Sequence, residues 1–292
     1  VSNPYLIQGP ALISFSGGRT SAYMLKHILD AHGGTLPADV HVAFANTGRE
    51  MPETLEFVRE CSVRWGVRII WVEFDPSAPN KTRFPSYEQA SRNGEPFVAV
   101  IRSSKSGMLP SPVIRFCTTE MKIRRFKALM HKVLGYDRWH SVIGLRADEP
   151  RRVARQHAAN EKGKERWATG MPLAEAGVAK ADVGTWWAAQ PFDLRLPTVN
   201  GTTPLGNCDL CFLKSRATIE GIMRARPELA EWWIEREREA DDRTVSVETR
   251  QMSVRHFRKD RPGYAELLAA VQSQTTMPFE AGEESVDCAC TD

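Results

Sequence analysis

Residues 11–29, ALISFSGGRTSAYMLKHIL, change character once. The apolar run ALISF reads as a short buried strand, and from Ala22 to Leu29 the pattern is helical. Between them stand Ser16, Gly17, Gly18, Arg19, Thr20 and Ser21. A buried strand that breaks into two glycines, three hydroxyls and an arginine leads into a helix start. There, free N–H groups and the positive end of the dipole favour an anion. Glycine lets the backbone come close to such a group, the hydroxyls add donors, and Arg19 adds a charge. The stretch is neither a Walker A loop nor the Gly-x-Gly-x-x-Gly dinucleotide fingerprint. Taken alone, it leaves a simple strand–helix turn and a phosphate cradle equally open.

The flanking sequence extends the same alternation. DVHVAFANTG is a second strand ending in turn residues, and PETLEFVRECSVRW is a helix with Pro52 in its first turn. GVRIIWVEF is a third strand. Phe126, Leu129, Met130, Val133 and Leu134 share one face of a helix over residues 119–134, and HSVIGLRADE is a fourth strand running into a charged loop. Strands alternating with helices predict an α/β fold: a doubly wound, mostly parallel sheet covered on both faces. Two parts are expected: a nucleotide-binding α/β domain over 1–200 and a smaller, mainly helical region over 201–292. The proline-rich stretch 75–118 reads as a long lid or binding loop, residues 150–167 as exposed and mobile, and KADVGTWWAAQ as a short helix.

Composition narrows the class. With 292 residues, 42% hydrophobic and 26% charged, the chain can build a sizeable core. No run of about 18 apolar residues predicts a membrane helix. No basic segment followed by an apolar run marks a secretory signal, so a cytoplasmic setting is expected. The net charge of +3 does not by itself argue for nucleic acid. Six cysteines stand at 61, 117, 208, 211, 288 and 290. In a reducing compartment, Cys-x-x-Cys and Cys-x-Cys pairs point to metal, cluster or redox chemistry. Cys61 shares the apolar face of its helix with Phe57 and reads as core.

The ordered set SFSGGRTS, NTGREMPETLEFV, RFCTTEMKIRRF, GLRADEPRR and PLAEAGVAKADVGTWW resembles the PP-loop superfamily of adenine-nucleotide α-hydrolases. The closer resemblance is to the branch of phosphoadenosine phosphosulfate (PAPS) reductases. It implies that Ser14, Ser16, Gly17, Gly18, Arg19, Thr20 and Ser21 hold a phosphate or phosphosulfate. It also implies that Asn46, Thr47, Gly48 and Glu50 line the adenosine site. Lys122, Arg146 and Arg152 would neutralise the anion, and Glu149 would orient Arg152 or help hold magnesium with ATP. The guanidinium fork suits the anion's paired oxygens. Thr20 departs from many ATP-using members, which carry aspartate there.

The cysteines open two further readings. In the iron–sulfur branch of the family, a double cysteine near position 117 and a later Cys-x-x-Cys supply four ligands; here the match gives Cys117, Cys208 and Cys211. Cys288 or Cys290 would complete the set, or one iron would stay open. The resemblance favours a 4Fe–4S cluster, while zinc fits the ligand types equally well. Alternatively, Cys288 or Cys290 is the nucleophile of a reductase, acting beside Arg146 and Lys122, although the Glu-Cys-Gly-x-His signature is missing.

Three functions follow. The first is a PAPS-reductase-like enzyme acting on PAPS or APS with a donor protein. The second is an ATP-dependent thiolase whose acceptor includes nucleic acid, held by the basic MKIRRFKALMHK segment. The third is a nucleotide- and cluster-binding sensor. A homo-oligomer is expected.

Overall fold

The computed structural model describes residues 3–104, 108–242 and 256–273. Six strands form one sheet in the order β4-β3-β2-β1-β5-β6. They are β1 Ala11–Phe15, β2 Val40–Ala45, β3 Ile69–Phe74, β4 Thr82–Arg83, β5 Trp139–Val142 and β6 Trp167–Gly170. All neighbours pair in parallel except β3 with β4. The expected α/β architecture is therefore present, with two more strands than the sequence pattern predicts. The strand order turns at β1: the chain builds outward through β2 and β3, then returns to the other side of β1 for β5. Ligand crevices in open α/β sheets form at that switch point, outside the strands' carboxyl ends.

Both sheet faces are covered. On one, α1 (Arg19–Ala31), α2 (Pro52–Arg64) and helix Lys180–Ala188 enclose the largest apolar core, which holds Phe15, Met24, Phe44, Phe57 and Trp187. Cys61 is fully buried within it, and burial pushes its thiol up. The other face is covered by α4, residues 116–133, whose Leu129 and Met130 pack on Leu12, Val72 and Trp139. Two π-type segments, Thr119–Ile123 and Ala128–Val133, interrupt this helix. Such bulges recur at functional sites because they re-aim side chains, and Lys122 lies in the first.

Two stretches carry more regular structure than the sequence pattern predicts. Residues 150–162 form a helix, α5 (Pro150–Lys162), with proline at its start and Gly163 at φ 57° closing its end. The expected exposure is there, since none of its residues is buried. Its polarity hides the helix from a search for apolar periodicity. The Asn160 carboxamide donates to the Thr169 carbonyl at 2.9 Å and accepts from the Thr169 N–H at 2.8 Å. One side chain thus occupies the outer edge of β6, which would otherwise offer unpaired groups. The stretch 75–118 likewise contains β4 and the helix α3 (Glu95–Ser103).

A second core crosses the boundary expected at residue 200. Phe97, Val100, Ile101 and Cys117 pack with Leu210, Phe212, Trp233, Phe257 and Tyr264. The buried carboxylate of Glu237 ties this core together, accepting from the N–H groups of Phe257 at 3.1 Å and Tyr264 at 2.8 Å. Desolvation raises its pKa above the ordinary 4.5. Over the interval above 4.5, the folded form holds a proton that the unfolded chain has released. Stability should therefore fall as pH rises through that interval. Urea titrations across it should show a shallower pH dependence for Glu237→Gln than for the parent.

Candidate nucleotide crevice

The glycine turn is fixed by its own hydroxyls. Ser21 Oγ accepts from the Ser16 N–H at 3.1 Å, lies 2.9 Å from Ser16 Oγ and donates to the Gly18 carbonyl at 3.0 Å. Ser21 is fully buried, so it fastens the turn from within. Gly18 caps α1 without any side-chain cap, which leaves the first-turn N–H groups of the helix directed to the crevice. Gly17 has φ 81°, and a Cβ there would sit 2.7 Å from Thr54 Cγ2 and 3.2 Å from both Phe44 and Val58. Gly17→Ala should cost about 2 kcal/mol from the left-handed backbone and the contact together. Gly33→Ala, with φ 66° but nothing within 4 Å, should cost about half as much. Chemical denaturation of both variants checks the contrast.

Arg19 points elsewhere. Its five N–H donors go to Asp193 twice (2.6 and 2.5 Å), Thr198 (2.8 Å), Thr203 (3.0 Å) and the Leu196 carbonyl (3.2 Å). Its own carbonyl accepts from Trp187 Nε1 at 2.8 Å. In this structure Arg19 straps residues 193–203 to the glycine turn. No local signal around Asp193 marks that role in the sequence.

Across the switch point, Arg146 Nη1 donates to Thr20 Oγ1 at 3.3 Å. Arg146 Nε donates to Asp148 at 2.9 Å, its Nη2 lies 3.6 Å from Glu149, and its backbone N–H donates to Glu149 at 3.0 Å. Arg152 pairs with the same Glu149 carboxylate. This network joins the carboxyl end of β5 to the start of α1 and brings Thr20, Arg146, Glu149 and Arg152 together. Asp148, which sequence reading passed over, orients Arg146 and also accepts the Lys180 N–H at 3.0 Å.

The turn after β2 is braced internally. Asn46 is fully buried; its amide donates to Glu73 at 2.6 Å and the Ser91 carbonyl at 2.9 Å, and its oxygen accepts the Gly48 N–H at 3.1 Å. Glu50 accepts from the Thr47 N–H and hydroxyl, both at 2.9 Å. Burial raises the Glu50 pKa, opposed by the charge of Lys122. In this structure the side-chain polar atoms of Asn46, Thr47 and Glu50 serve the turn itself and shape the crevice floor.

Beside the crevice, a recess of about 210 Å³ opens on the α4 face of the sheet. Ser14, Ser141 and Thr169 bring hydroxyls to it, Ser16 and Lys122 link it to the glycine turn, and Phe126, Trp139 and Trp167 give it aromatic walls. The two indoles stack with centroids 5.4 Å apart. Ser141 and Thr169 are register partners on adjacent strands. Hydroxyls at alternate positions of otherwise apolar strands are the signal that could have located this recess in advance.

Cys208 sits beneath the turn after β2, bridging Glu50 in antiparallel fashion, with its sulfur 3.4 Å from Thr47 Oγ1. Burial pushes its thiol well above the ordinary range. Cys117 and Cys208 are buried in the second core, and Cys211 packs against it. Among the described residues, no three His, Cys, Asp or Glu side chains form a group able to hold a metal ion. The expected ligand set draws its fourth thiolate from Cys288 or Cys290. Cys288 and Cys290 lie outside the described residues.

A doubly wound sheet with a glycine turn, an uncapped helix start and a paired arginine at its switch point defines an α/β protein with a crevice at the carboxyl ends of its strands. The chain belongs to the phosphoadenosine phosphosulfate reductase domain family, whose sequence profile matches residues 10–186. It is 31% identical over 228 residues to the uncharacterised nin region protein ORF290 of Escherichia phage lambda, an alignment covering 73% of this chain and 71% of that protein. Among solved structures it is similar to the PAPS reductase of Candida auris in a phosphate complex. That match has a TM-score of 0.40 and 14% identity, and covers 68% of this chain and 88% of the other. No helix among the described residues is long and apolar enough to cross a membrane.

Proposed function

We propose that the crevice binds an adenine nucleotide bearing a terminal anion, PAPS, APS or ATP, and that the chain is an enzyme of sulfonucleotide chemistry. The observation that carries this is Arg146, held across the switch point by Thr20 and Asp148 beside the uncapped start of α1. The phosphate or phosphosulfate lies over the glycine turn, facing backbone N–H groups and Arg146. The purine enters the recess, where aromatic walls take its faces and hydroxyls its edge. Arg146 and Lys122 neutralise charge that develops on the departing group, whichever bond breaks. Two reactions fit this crevice: reduction or transfer of the sulfonucleotide's sulfur, and ATP-dependent adenylation of an acceptor that then receives sulfur.

Isothermal titration with APS, PAPS, ATP and AMP tests the binding, with micromolar affinity for at least one of the first three expected. Absence of binding by all three would remove the proposal. Product analysis separates the reactions: sulfite from a sulfonucleotide, or AMP and pyrophosphate from ATP with magnesium. A 4Fe–4S cluster or zinc on Cys117, Cys208 and Cys211, completed by Cys288 or Cys290, is a separate proposal supported by the family resemblance. Iron, sulfide and zinc analysis of anaerobically purified protein decides it, and Cys288→Ser and Cys290→Ser show whether either tail thiol is a ligand.

A further inference from the structure

We infer that the basic shoulder formed by α4, α5 and the adjoining strand starts is a docking track for single-stranded nucleic acid, leading to the crevice. Residues 115–166 carry 14 Lys and Arg against six Asp and Glu, while the whole chain is only +3, so the remainder is net acidic. Lys132, Arg138, Arg151, Lys162 and Lys164 are exposed, and their side chains make no hydrogen bond or ion pair among the described residues. A solvated face usually laces its charges with opposite ones, as Arg124 does with Glu120 and Arg166 with Asp137. These five are left uncompensated.

The topology sets them in a path. α5 crosses from the carboxyl end of β5 to the amino end of β6, so Arg151 lies at the crevice edge and Lys162 at the opposite edge. Arg151, Arg155 and Lys162 follow one flank of the helix at spacings of four and seven. Its 13 residues span about 20 Å. At the far end, Lys164 precedes β6, Arg138 precedes β5, and Lys132 closes α4. None of the residues of α5 is buried, so the helix contributes little to the core and presents its charge outward.

A flexible single strand can follow a path one helix wide and bring an unstacked nucleotide to the crevice mouth beside Arg151. A duplex keeps its rings stacked and out of reach. The destination of the track rests on the nucleotide reading of the crevice; the docking itself does not.

Fluorescence anisotropy with a labelled fifteen-nucleotide oligothymidylate tests this on the full chain. Arg151→Glu/Lys162→Glu should weaken binding at least about tenfold, and should make the salt slope shallower by about 1.4, two phosphate contacts' worth. Arg216→Glu/Lys259→Glu, with the same charge change at exposed positions in the C-terminal region, should weaken it less than about twofold. Equal losses in the two variants would overturn the track. So would polyglutamate competing as well as the oligonucleotide, or a duplex of equal length binding more tightly. If no nucleotide binds the crevice while the shoulder variants still lose the oligonucleotide, the crevice reading fails and the docking stands.

Discussion

Glu73→Ala should destabilise the protein by about 4 kcal/mol, the scale of losing several hydrogen bonds to one buried carboxylate. Glu73 is fully buried near the carboxyl end of β3. One oxygen accepts from the Asn46 amide at 2.6 Å and the Ser91 N–H at 2.8 Å; the other accepts from the Ser91 hydroxyl and Arg83 Nε, both at 2.8 Å. The carboxylate therefore joins β2, β3, β4 and the loop after β4, and alanine leaves buried donors without partners at an additional cost. Glu73→Gln keeps the volume but turns an amide toward donors, and should cost about half as much. Arg166→Ala breaks a pair whose aspartate, Asp137, is 85% exposed, and should cost under about 0.5 kcal/mol. Urea unfolding with an unchanged slope measures all three. A Glu73→Ala loss below about 1 kcal/mol would mean that Arg83 and Asn46 find other partners at little cost.

Glu73 also shows what local reading of a chain misses. The strand IIWVEF announces itself by its apolar residues, and its glutamate reads as a terminal charge until the fold brings Asn46, Arg83 and Ser91 around it. The large features were legible because each rests on contiguous residues: the alternation of strands and helices, the glycine turn, and the charged loop after β5. α5 was not, because a helix held by its ends and one carboxamide needs no apolar stripe. Arg19 has its partners in this structure far along the chain. Beside two glycines it resembles an anion ligand, yet residues more than 170 positions away take all its donors. Arg146 stands past the carboxyl end of β5, as its place in the sequence after that strand implies, and the groups that aim it, Thr20 and Asp148, become visible only in three dimensions.

The second large effect concerns that aim. Arg146→Ala should weaken APS, PAPS or pyrophosphate binding roughly 100-fold, or about 3 kcal/mol, the worth of charge-assisted hydrogen bonds in a partly enclosed site. The Arg146 side chain is 14% exposed, and its bonds to Asp148 and Thr20 use one Nε–H and one Nη1–H. The N–H groups left on Nη1 and Nη2 can pair two anion oxygens at once. Arg146→Lys should recover only part of the loss, because an ammonium lacks the fork. Thr20→Val removes a long 3.3 Å bond and should cost no more than about threefold. Thr20→Asp should cost about tenfold without magnesium, since it sets a carboxylate against the guanidinium and repels the incoming anion. If magnesium then restores ATP binding in Thr20→Asp but not in the parent, Thr20 separates metal-free anion recognition from the magnesium-ATP mode of aspartate-bearing relatives. Calorimetric titration at two ionic strengths, with unfolding midpoints to confirm intact variants, reads every arm. An Arg146→Ala affinity within threefold of the parent would move the anion site away from the switch point.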